Sequence, residues 1–158
     1  MSRSRIEPIG RQVTRTAKVL GRAFEEELAR AGGSLPTWLI LLSLKSRAWR
    51  TQRELAEALG IEGPTLTHHL TGLERSGLVT RTRDPDNRRV QRVELTEAGE
   101  AAFHRLRRAA SRFDQRLRSG LAEAEVEQLR EFLARLRSNV SRDEPAAGER
   151  PAHGIATK

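Results

Sequence analysis

The side chains with the most chemical reach are arginines and a short run of small polar residues. Pro64, Thr65, Thr67, His68 and Thr71 fall close together, Arg50 and Arg53 precede them, and Arg81, Arg88 and Arg89 follow. A guanidinium presents a planar fork of donors that fits phosphate oxygens and base edges, and hydroxyl and imidazole groups add hydrogen bonds beside it. This is a chemistry of holding an anion rather than of breaking bonds. No nucleophile with its base, pair of acids, phosphate-cradling glycine loop or metal triad occurs at usable spacing, so catalysis is not expected. The chain has no cysteine, which excludes disulfides, thiolate metal sites and thiol-based oxidant sensing. Adjacent His68 and His69 project about 100° apart on a helix, with no further ligand nearby, so neither a metal nor a cofactor is expected.

The overall charge points the same way. In 158 residues, 29 lysines and arginines outnumber 21 acids, for a formal net charge of +8. Such a balance favours nucleic acid or an acidic membrane surface as partner. Lysine occurs only at 18, 45 and 158, so nearly all the positive charge is arginine, a preference that a coding bias would equally produce. The length suits one folding unit with a real core. No run approaches the roughly 18 apolar residues of a membrane span, and the N-terminus lacks the apolar core of a signal peptide, so a cytoplasmic protein without membrane partners is expected.

The elements that must position these residues are mostly helices. Ile6, Ile9, Val13, Ala17, Leu20, Phe24 and Leu28 repeat at helical spacing and predict a first helix over about 6–31, ended by Gly32-Gly33. Ser34 caps a second helix that is apolar on most sides. Thr51-x-x-Glu54 reads as a capping box for a short third helix closed by Gly60, and a fourth runs from about Gly63 to Ser76. On the fourth helix Leu66, Leu70 and Leu73 share one face, so Pro64, His68, Thr71 and Arg75 point the other way. Val79 to Arg83 and Val90 to Leu95 flank the turn residues Asp84-Pro85-Asp86-Asn87 and predict a hairpin. Thr96 caps a long fifth helix, and Val126, Leu129, Phe132, Leu133, Leu136 and Val140 stripe a last one. From 141 to 158, proline, glycine and charge without apolar periodicity predict a disordered tail.

Two helices joined by a short turn and followed by a basic hairpin form an architecture that sets a helix in the major groove and the hairpin in an adjacent groove. Its continuation reads Leu73-Glu74-Arg75-Ser76-Gly77-Leu78-Val79-Thr80-Arg81, then Asp84-Pro85-Asp86-Asn87-Arg88-Arg89, then Val93-Glu94-Leu95-Thr96-Glu97-Ala98-Gly99. In these segments the chain resembles the multiple-antibiotic-resistance regulator (MarR) family over roughly Val13 to Val140. The resemblance implies a mainly α fold with a small β-hairpin wing, a winged helix-turn-helix flanked by N- and C-terminal dimerisation helices. It implies a homodimeric transcription regulator, by default a repressor, that binds a palindromic double-stranded DNA operator and is released by a small effector. It also sets Arg88 and Arg89 at the wing tip, in the minor groove. Asn87 departs from the aspartate usual in the family, with Asp86 available as a substitute.

Within that frame the expected DNA contacts are Arg50, Arg53, Pro64, Thr65, Thr67, His68, Thr71, Arg81, Arg88 and Arg89. From Arg50 to Glu94 acidic and basic side chains nearly cancel, so attraction must be local. Arginine stripes on the first and fifth helices read as solvated faces. The DNA-binding core is expected over about 35–96. The apolar stripes of the dimerisation helices, about 6–31 and 97–140, exceed what the central core can cover, which favours pairing with a second copy. Trp38, His69 and Arg15 are the candidates for a cleft holding an anionic or aromatic effector; core packing is the competing role for Trp38 and His69. A winged-helix module docking on protein or an acidic surface is the alternative function, and an apolar outer helix face would be its signature.

Overall fold

The computed structural model describes residues 7–46, 51–83 and 91–141. Six helices and one hairpin follow in order: α1 (Ile9–Arg30), α2 (Leu35–Ser46), α3 (Gln52–Leu59), α4 (Gly63–Arg75), β1 (Val79–Arg83), β2 (Gln91–Leu95), α5 (Glu97–Leu117) and α6 (Glu123–Ser141). The described residues through Leu117 form one compact unit and those from Arg118 a second. No helix among the described residues is long and apolar enough to cross a membrane. Helix α1 starts at Ile9 because Pro8 precedes it in an extended conformation and its carbonyl accepts the first helical bonds. Ile6 and Val90 lie outside the described residues, as do the residues expected to form the turn, 84–87, and residues 142–158 of the expected tail. Ser141, expected to begin that tail, instead ends α6, continuing its helical repeat.

Local chemistry sets the helix ends. The Thr51 hydroxyl accepts from the Glu54 N–H at 3.1 Å, and Gly60, at φ 64°, closes α3 in the left-handed region. The Ser34 hydroxyl accepts from the Thr37 N–H at 3.3 Å to start α2. At the end of α4 the Leu78 N–H reaches the Leu73 carbonyl and the Gly77 N–H the Glu74 carbonyl, both at 2.9 Å. Gly77, at φ 70°, supplies the left-handed residue this reversal requires. The chain therefore turns sharply out of α4 into β1.

Helix α2 sits at the centre, packed on α1, α3, α4 and α5. Its Ile40 and Leu41 are fully buried with Leu28 of α1, Leu55 of α3, Leu66 and Leu70 of α4, Val79 of β1 and Leu106 of α5. Each such leucine or isoleucine contributes about 1.5–3 kcal/mol of transfer free energy. Trp38 of α2 lies on Phe103 of α5, ring centroids 5.9 Å apart and nearly parallel. Phe24 of α1 meets Phe113 of α5 at 5.0 Å. The strands pair antiparallel with Val79 opposite Leu95 and Arg81 opposite Val93.

In the second unit α6 begins where the Ala122 N–H donates to the Glu125 carboxylate at 2.7 Å. Leu129, Phe132, Leu133, Leu136 and Val140 of this helix are exposed, as are Ile9 and Val19 of α1.

Candidate nucleic-acid interface

Helix α4 has two unlike faces. Leu66, Leu70 and Leu73 are buried, while Pro64, Thr65, Thr67, His68 and Arg75 are exposed. Burial of the leucine face fixes the rotation of the helix, and the 3.6-residue repeat then sends the short polar side chains outward. Four of the expected contacts are thereby brought onto one accessible strip. Pro64 in the first turn needs no N–H partner, which leaves that end unencumbered.

Arg53 lies on α3 and is almost wholly solvated, with its side chain 88% exposed and an i,i+4 ion pair to Glu57 at 2.9 Å. Exposed pairs of this kind are worth well under about 1 kcal/mol, so the guanidinium is free to exchange Glu57 for a phosphate. Lys45, at the end of α2, is bonded to both carboxylate oxygens of Glu100 on α5 at 2.9 Å. Arg50, Arg88 and Arg89 lie outside the described residues.

Two of the expected contacts are placed differently. Arg81 donates from Nε to the Glu74 carboxylate at 2.9 Å and from Nη2 to the same oxygen, and Nη2 also donates to the Thr71 hydroxyl at 3.2 Å. Arg81 is only 18% exposed and Thr71 is half-buried. The physical reason is strand alternation: Val79 faces the core, Thr80 faces out, and Arg81 faces inward again, toward α4. The Arg81 guanidinium holds the Glu74 carboxyl below the usual carboxylate range, chiefly through its hydrogen bonds. Glu74 was not among the expected site residues. Its signal lay in that alternation together with the tight Gly77 corner, which sets the last turn of α4 opposite β1.

The three effector candidates are not brought together. His69 is half-buried and lines a cavity of about 110 Å³ with Leu35, Pro36, Leu39, Ile40 and Leu59. Trp38 is in the core against Phe103, and Arg15 is on the exposed side of α1, 3.4 Å from Glu7. Neither lines the His69 cavity.

A helix pair with a polar outward face, followed by a two-stranded hairpin latched to that helix, defines a winged helix-turn-helix protein. The MarR family model matches residues 34–90, which take in α2, α3, α4 and β1. Among solved structures the chain is similar to the transcriptional repressor CouR bound to a 23-mer DNA duplex, with a TM-score of 0.75, 30% identity, and coverage of 82% of this chain and 92% of that one. It is also similar to the transcriptional regulator PA3341, with a TM-score of 0.69, 30% identity, and coverage of 85% and 99%. CouR from Rhodococcus jostii RHA1 bound to p-coumaroyl-CoA matches with a TM-score of 0.69 and 25% identity over 84% of this chain and 93% of that one. The chain belongs to the MarR family of transcription regulators.

Proposed function

We propose that this regulator is a homodimer that represses transcription in the cytoplasm by binding a palindromic DNA operator, and that a small effector releases it. The observation that carries the reading is the two-faced α4: its leucines are anchored in the core while Pro64, Thr65, Thr67 and His68 stand clear on a polar strip. An apolar outer face would favour docking on protein, and this face is not apolar. In this reading Thr67 and His68 meet base edges, Thr65, Arg53 and Arg50 meet the phosphate backbone, and Arg88 and Arg89 enter the minor groove, as the family resemblance implies. Thr71 and Arg81 act behind this surface rather than on it. The similarity to CouR, solved on a DNA duplex, supports the same reading.

The exposed apolar residues of α1 and α6 support a second copy as partner, since leaving Phe132, Leu133 and Leu136 in water costs roughly 25 cal/mol per Å². Helices α1, α5 and α6 are the proposed dimerisation elements. Two recognition helices related by a twofold axis would meet major-groove faces about one turn of DNA apart. For the effector, the apolar cavity beside His69 is the candidate site, with the imidazole as its polar group.

The test is selection from a pool of random duplexes by the purified protein, with the mass of the free and bound forms measured by sedimentation. An inverted repeat held by two chains is expected. A monomer in solution, or no duplex enriched over random competitor at moderate salt, overturns the reading.

A further inference from the structure

We propose that Glu74 is a positioning residue: through Arg81 it braces the hairpin against α4, so that the polar helix face and the hairpin tip meet one duplex at a fixed angle. The inference rests on the DNA-binding reading above.

A two-stranded hairpin is marginally stable by itself and must be held by what it packs against. Inward-facing Val79 is buried at the base of β1, and Arg83, toward the tip, is exposed. Arg81 is therefore the outermost residue of β1 on that face that is still partly buried. Its guanidinium is fixed at two nitrogens, Nε and Nη2 both on Glu74 and Nη2 also on Thr71, so the side chain has little freedom to swing. Glu74 and Thr71 lie on neighbouring turns of α4, and the brace thus reaches the same helix that carries Thr67 and His68. With Arg81 only 18% exposed, water and salt screen this pair less than the open Arg53–Glu57 pair.

The opposing arrangement has Arg81 binding a phosphate directly, with Glu74 competing for the guanidinium. The two differ in sign. A brace makes removal of Glu74 weaken DNA binding, whereas competition makes it tighten binding.

The experiment compares Glu74→Gln, Arg81→Gln and the double variant of the full chain with the unaltered protein. Glutamine is isosteric with Glu74 and a shorter, uncharged polar replacement for Arg81, and the thermal transition checks that each variant keeps the fold. Amide hydrogen exchange of β1 and β2 is measured on the free protein, and affinity is measured at several salt concentrations on a duplex selected by the unaltered protein. The brace predicts that each single change speeds exchange in the hairpin and lowers affinity about tenfold, that the double variant is no worse than either single, and that the salt slope is unchanged. Tighter binding by Glu74→Gln, or a slope reduced by about one in Arg81→Gln, overturns the brace in favour of a phosphate contact. If the unaltered protein selects no duplex, the DNA-binding reading fails by itself. Hairpin exchange still decides the brace in that case, because rates unchanged in both single variants would overturn it.

Discussion

Gly99, in the first turn of α5, lies so close to the Leu78 carbonyl that a methyl group built on it would overlap that oxygen. The same carbonyl accepts the Thr96 N–H at 3.1 Å, so the start of α5 is seated on the corner between α4 and β1. The neighbouring atom is backbone and cannot rotate away. Gly99→Ala is therefore expected to destabilise the protein by about 1–3 kcal/mol, as overpacking does. Urea denaturation measures it, and an unchanged midpoint would show that the corner yields freely.

Thr96 secures that corner twice. Its hydroxyl donates to the Gly77 carbonyl at 2.6 Å and accepts from the Gly99 N–H at 3.0 Å. Thr96→Val keeps the shape and removes both bonds, with an expected cost of about 1–2 kcal/mol. Thr96→Ser should retain most of the stability. A loss in Thr96→Ser with none in Thr96→Val would mean that the methyl group, not the hydroxyl, matters.

Acid should loosen the hairpin through Glu74. Its carboxyl is held below the usual carboxylate range by hydrogen bonds from Arg81. A group with a depressed folded-state pKa contributes stability above its unfolded value, and the contribution disappears as pH falls through the folded value. The stability difference between the unaltered protein and Glu74→Gln is expected to be constant at neutral pH and to vanish in acid. A difference independent of pH down to pH 2 would contradict this.

Glu27 ties α1 to α5. Its carboxylate, with a side chain 12% exposed, lies 3.2 Å from Arg30, 3.3 Å from Arg112 and 3.9 Å from Arg116. The arginines are well exposed, so Glu27→Ala is expected to cost only about 1 kcal/mol, less at high salt. Thermal denaturation at low and high ionic strength provides the check. A loss indifferent to salt would point to packing instead.

On DNA, Thr67→Ala and His68→Ala are expected to relax sequence preference. Arg53→Ala should lower affinity evenly across sequences and reduce the salt slope by about one. Repeating the duplex selection with each variant distinguishes these effects. An unchanged preference in both helix variants would remove α4 from base readout.

Much of the architecture was legible in the residues because it depends on short-range rules. Thr51, Gly60, Ser34 and Thr96 set helix ends within a few residues of themselves, and a 100° turn per residue was enough to divide α4 into its leucine face and its polar face. Pro8 delayed the start of α1, a small correction of the same local kind.

What the tertiary structure decided are the partners of charged and aromatic side chains. The sequence shows Arg81 as a basic residue on a strand, and its bonds to Glu74 and Thr71 exist only once the Gly77 corner folds β1 back along α4. Likewise Trp38 meets Phe103 and Lys45 meets Glu100 across more than fifty intervening residues, pairings that no periodicity encodes. Helix faces follow from the repeat of a single element, whereas an ion pair or ring stack between elements depends on how separate elements dock, and that is settled by the shared core.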